Sequence, residues 1–330
     1  MKSRVPLIVS LSLVVLAATN WLPSHAQQAN EPAAGGAPPL SNPLKVALLK
    51  WYEGNNVPTT FAVGTQPQGV VFDGASVWVA NEMDNTLTKI GASDGTVLGN
   101  FGADQRPMGL SYDGANVWVG HEFGIGVSKV RASDGKFLGT FKTGSPSSHP
   151  YYPAFDGQNI WVPNIGDGTI TILRASDGKN LGTVSPGGAY EAAFDGTYMW
   201  VTGGNNETVN RYRRDGTSAG TFPVGYGSEG IAFDGANVWV ANYESGTVTK
   251  LRASDGTVLG TFNVPSPSQI AFDGKNIWVA SPDSGTVFRL QESDGTIVGQ
   301  FSARVSPAGI AFDGANIWVA ATGSNIVYKF

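Results

Sequence analysis

With 330 residues, 41% of them hydrophobic, and a formal charge of −5, the chain can bury a large core but offers no basic field to attract a phosphate backbone. The absence of cysteine removes thiolate nucleophiles, thiolate metal sites and disulfides together. Its 44 glycines and 19 prolines supply the chain reversals that many short strands need, so composition points to an all-β protein.

Residues 1–26 read as a secretory signal peptide: Lys2 and Arg4, an apolar run over 7–18, then Ser24-His25-Ala26 with small residues at both cleavage-pocket positions. That run is shorter than the ~20 residues of a spanning helix, and nothing later in the chain could span. Export to the periplasm or beyond the cell is the expectation, and removal of the two basic residues takes the charge to −7. Residues 27–43, rich in Ala, Pro, Gly and Gln, have the composition of a flexible linker. Over 44–54, Leu44, Val46, Leu48, Leu49 and Tyr52 share one helical face before Gly54 and Asn55, which predicts a short helix.

From residue 55 to 330 the chain repeats itself. One copy, residues 230–264, reads GIAFDGANVWVANYESGTVTKLRASDGTVLGTFNV. Its Phe/Tyr-Asp-Gly aspartate recurs as Asp73, Asp113, Asp156, Asp195, Asp234, Asp273 and Asp313, at intervals of 40, 43, 39, 39, 39 and 40 residues. A tryptophan follows each by five: Trp78, Trp118, Trp161, Trp200, Trp239, Trp278 and Trp318. Each copy holds four β-prone runs separated by turn residues, which is one blade of a β-propeller. Seven copies predict a seven-bladed β-propeller of four-stranded blades, with the tryptophans packed between blades.

The Asp-Gly pairs fall where tight hairpins need left-handed backbone, again at Asp94, Asp134, Asp177, Asp215, Asp255 and Asp294. One carboxylate per hairpin is far below the roughly six to eight oxygens that calcium takes. Arg131, Arg174, Arg252 and Arg289, near third-strand ends, read as solvated blade edges. The seventh copy stops after its third strand at 326–330, while TTFAVG at 59–64 matches the fourth-strand segment GTFPVG at 220–225. Pairing these segments would close the ring and remove an open sheet edge.

The hairpin face is nearly uniform between copies, whereas the opposite face varies. Two rings are expected at its channel mouth. Ahead of strand one stand Gln68, Met108, Tyr151, Tyr190, Glu229, Ser268 and Ala308; three residues beyond each Trp stand Asn81, His121, Asn164, Gly203, Asn242, Ser281 and Ala321. Blades three to five depart furthest: segment 145–153 carries three extra residues, and Tyr152 and Glu191 replace a glycine most copies keep. Tyr151, Tyr152, Tyr190, Glu191, Glu229, Asn242 and Tyr243 are therefore the candidate ligand-binding residues, offering aromatic faces beside carboxylates to a glycan, a peptide or another small molecule. Glu82, His121 and Glu122 form a secondary group. No GxSxG elbow or HExxH helix occurs, only His121 and His149 survive signal removal, and no cofactor or resident metal is implied.

The Pro-x-Gly at 67–69, the run FDGASVWVAN and then NTLTKI resemble the repeat of the YVTN family of exported bacterial β-propellers, across about 270 residues in all seven copies. That resemblance implies an exported ligand-binding role. The repeat spacing is also similar to that of the virginiamycin B lyase family, seven-bladed propellers that linearise streptogramins with a histidine before strand one and a magnesium-binding glutamate. Every copy here lacks that histidine, while Glu82 and Glu122 hold the loop position where the glutamate would fall. The expected function is a non-catalytic, monomeric, exported binding module; the alternatives are a metal-dependent lyase using His121 and Glu122, and a plain interaction scaffold.

Overall fold

The computed structural model describes residues 59–330. The expected signal peptide, linker and helix at 1–54 lie outside the described residues. Period-two alternation of valine and isoleucine around each tryptophan, punctuated by Asp-Gly turns, yields twenty-eight strands in seven antiparallel four-stranded sheets. Blades one to six take their strands consecutively from Pro67–Phe72 to Ile297–Ser302. The seventh combines Pro307–Phe312, Ile317–Ala321 and Ile326–Lys329 with Thr59–Ala62, so the ring closes as the repeat predicted. Register is set by Thr59 opposite Lys329 and Phe61 opposite Val327, which matches Phe262 opposite Val248 inside blade five.

Seven apolar clusters, one per seam, form the core. In each, the tryptophan of one blade packs against the second-strand valines or isoleucines of the next, as Trp239 does on Ile277 and Val279. Six of the seven tryptophans also pack on a fourth-strand phenylalanine, stacked or tilted, with centroids 5.1 to 5.6 Å apart, and the closing strand supplies Phe61 to Trp318 in the same way. Trp161 meets Tyr212 of blade four instead, at 6.0 Å.

The repeat aspartates do more than make turns. Each takes the indole N–H of its tryptophan on Oδ2, at 2.6 to 2.9 Å, while Oδ1 accepts turn amides. A cation across the ladder from the tryptophan completes the motif. Lys89, Lys129, Arg211, Lys250 and Lys329 lie over the indoles and donate, at 2.6 to 2.8 Å, to a carbonyl just past the third strand of the following blade. Two blades lack this latch. Blade three has Ile172 opposite Trp161, and blade seven, taking its fourth strand from the other end of the propeller, offers Arg289 of blade six no such turn.

Arg289 therefore corrects one expectation. It pairs with Trp278 and stacks on it, whereas Arg131, Arg174 and Arg252 lie two residues further along their strands and form exposed pairs with Asp134, Asp177 and Asp255. Only those three occupy equivalent, solvated positions.

Candidate functional site

Near the axis, the innermost strands approach one another most closely at the glycine of Pro-x-Gly. A Cβ on Gly69, Gly230 or Gly309 would collide with the carbonyl of Met108, Ser268 or Gln68 in the adjoining blade. The equivalent position in blades three, four and six is Tyr152, Glu191 and Gln269, so these three side chains alone occupy a ring that is otherwise glycine. All three line one cavity of about 480 Å³, which follows the inner strands toward Phe72, Phe155 and Phe312 at their hairpin ends.

One residue earlier, Tyr190 and Glu229 face the other way. With Glu244, Asn206 and a wall that includes Gly187, Gly188, Gly203 and Gly204, they line a separate groove of about 370 Å³ across blades three to five. Tyr152 and Tyr190 stack at 6.3 Å, and Tyr151 meets both edge-on at 5.0 and 5.1 Å. The stacked pair is a partition, one ring on the axial cavity and the other on the groove.

The structure thus brings Tyr151, Tyr152, Tyr190, Glu191 and Glu229 together but divides them between two spaces. Burial pushes Glu191 up to about 8, with Gln269 opposing and the Glu229 carboxylate adding to it. Burial likewise pushes Glu229 up to about 7, against the Tyr190 hydroxyl and with help from Glu244 and Asp283. Tyr151 rises to about 12, chiefly from burial, Tyr190 pulling it back and Glu122, Glu229 and Glu82 adding to the rise. Tyr243 sits at the side of this region and donates to Asp283 of blade six at 2.7 Å, the contact that mainly raises it to about 12.

The second expected ring does not face the mouth. Asn242 is fully buried and ties its Nδ2 to Thr247 and Thr249 at 3.1 and 2.9 Å, and Asn81 and Asn164 repeat the arrangement. His121 takes the same place in blade two: Nε2 is 2.8 Å from Ser128 Oγ and Nδ1 3.0 Å from the Gln105 carbonyl. Burial lowers it to about 4, with Asp104 and the Gln105 contact opposing, so the imidazole is neutral. These side chains brace the loop after strand two, because a corner enclosed on both sides must satisfy its polar atoms internally.

Glu82 and Glu122 do converge, but on Arg106. Its Nη2 bonds Glu82 Oε1 and lies 2.6 Å from Glu122 Oε2, while Gln68 donates to the other Glu82 oxygen at 2.6 Å. Among the described residues no group of three or more His, Asp or Glu side chains is placed to hold a metal. Two carboxylates that share one guanidinium, with no further oxygen ligands gathered around them, do not fit a divalent ion that needs about six oxygens.

Neither a protein-family model nor a curated protein sequence matches this chain. Among solved structures, catalytically inactive virginiamycin B lyase from Staphylococcus aureus, with quinupristin, has a TM-score of 0.70 at 22% identity, covering 82% of this chain and 98% of that one. A streptogramin B lyase gives 0.70 at 20% identity, covering 82% and 96%, and a WD40 β-propeller domain gives 0.69 at 14%, covering 82% and 95%. The likeness is one of fold. A shared fold does not fix a function, which resides in the side chains of the site.

Three contributors escaped sequence reasoning. Gln269 was legible as a third departure from the repeat glycine. Glu244 sits in a loop where every copy varies, and Arg106 gave no pattern at all.

Proposed function

We propose that this chain is an exported ligand-binding propeller whose groove over blades three to five holds a basic side chain of a peptide. The observation that carries the reading is the lining of that groove: Glu229 and Glu244 beside Tyr190, with no lysine or arginine among the lining residues. An ammonium or guanidinium group would pair with the carboxylates and lie against the tyrosine face, and the glycine wall leaves room for the chain that carries it. The high ionisation point of Glu229 fits, because a cation in the groove supplies the charge that the carboxylate lacks. Carboxylates without a basic partner favour a cationic peptide over a neutral glycan. The YVTN-type repeat and the signal-like residues 1–26 agree with export.

The lyase reading would need Glu82 and Glu122 to hold a metal and His121 to act as base, and Arg106 and Ser128 already engage those groups. A peptide and glycan array tests the binding reading. Lysine- or arginine-containing peptides are expected to bind, and a Tyr190→Ala, Glu229→Ala double variant to bind them at least about tenfold more weakly. Binding confined to neutral glycans, or an unchanged affinity in the double variant, would overturn it.

A further inference from the structure

We propose that the axial cavity is a second ligand site, separate from the groove, that takes a small molecule with an apolar body and a primary amine head directed at Glu191. Three observations converge on it. At about 480 Å³ the cavity lies within the roughly 300–1,000 Å³ range of small-molecule sites. Its lining is mixed, with the apolar side chains Phe72, Phe155, Ile310 and Phe312 along the body, while Glu191 and Gln269 stand together toward the start of the inner strands. Glu191 Oε2 is closed off from water and has no hydrogen-bond partner.

The fold does not require this carboxyl. Four blades close the same ring with glycine at the equivalent position. A carboxyl oxygen closed off from water, with the Glu229 carboxylate as the charge acting on its group and no cation beside it, is an unfavourable arrangement. What is missing is a donor carrying positive charge, and the aromatic walls suit a hydrocarbon or aryl body behind it. A primary amine meets both demands, whereas an alcohol of the same shape meets only the second.

Calorimetric titration of the full chain with 4-phenylbutylamine and with 4-phenylbutanol tests the site. The amine is expected to bind at least about tenfold more tightly than the alcohol, and the isosteric Glu191→Gln variant to bring the amine down to the alcohol's affinity. Circular dichroism establishes that the variant is folded. Equal binding of the two probes by the unaltered chain, no binding of the amine, or retention of amine affinity in folded E191Q would each overturn the proposal. The first two outcomes need no variant, so the proposal remains open to refutation even if E191Q does not fold.

Discussion

In blade five, Asp234 Oδ1 accepts the amides of Ala236 and Asn237 at 2.8 and 2.6 Å while Oδ2 accepts the Trp239 indole at 2.7 Å, so one carboxylate fixes both a turn and a core side chain. Removing it strands a donor on a fully buried tryptophan. Asp234→Ala is expected to lower stability by about 2–3 kcal/mol, read from urea unfolding, and to cost distinctly less, only the turn's share, when Trp239→Phe has already removed the indole donor. Equal losses in the two backgrounds would show that the turn alone matters. The five-residue interval between Asp and Trp was plain in the sequence, yet the bond behind it was not, because a turn aspartate looks the same whether its second oxygen is used or free. The burial of Asn242 and His121 was hidden for a related reason. Their loop position is variable, as a ligand site would be, but where it holds asparagine or histidine the side chain is buried and bonds a threonine or serine hydroxyl of the same blade.

At the level of elements, the closing strand Thr59–Ala62 differs from the other fourth strands in having no hairpin to its third strand. It is held by its ladder to Ile326–Lys329 and by Phe61 stacked on Trp318 at 5.3 Å. Loss of that ring should free an unpaired strand edge, a template for pairing with another chain. Phe61→Ala is therefore expected to cost about 2–3 kcal/mol and to promote aggregation on heating, followed by melting temperature and light scattering, while Phe262→Ala costs about the same without the aggregation. Identical scattering from both variants would contradict this role. Closure was legible because TTFAVG keeps the phenylalanine of the repeat. The split of the tyrosine cluster was not, since Tyr190 and Glu191 are adjacent in the chain and only the alternation of an extended strand at the axis sends them to different cavities.

For the molecule as a whole, the raised carboxyls set a pH dependence. Glu191 and Glu229 ionise near 8 and 7 when folded, against 4.5 ordinarily, so between these values the folded chain holds protons that the unfolded chain has released. Their contribution is fully present below about pH 4.5 and is lost as pH rises through 7 and 8. Asp73, Asp234, Asp273 and Asp313, held below 3.8, act oppositely: their stabilisation is present above that value and lost as pH falls through their folded values. Denaturant titrations should thus find stability declining from about pH 5 to pH 8, with a shallower decline in Glu191→Gln; a flat profile, or one unchanged in the variant, would rule this out.

The five cation latches also impose a large-scale division on a nearly symmetric ring. They run unbroken through blades seven, one, two and three, and again through four, five and six, leaving the seams after Trp161 and Trp278 without one. The wheel is consequently two arcs, of four blades and three, abutting at two joints on opposite sides of the axis. Both joints keep the apolar packing of the other seams, Trp161 on Val201 and Trp278 on Val319, and lack only the cation-to-carbonyl bond. The tyrosine partition and Glu191 lie at the first joint, where a backbone bridge between Tyr152 and Glu191 stands in place of the latch, so whatever these residues hold touches both arcs at once.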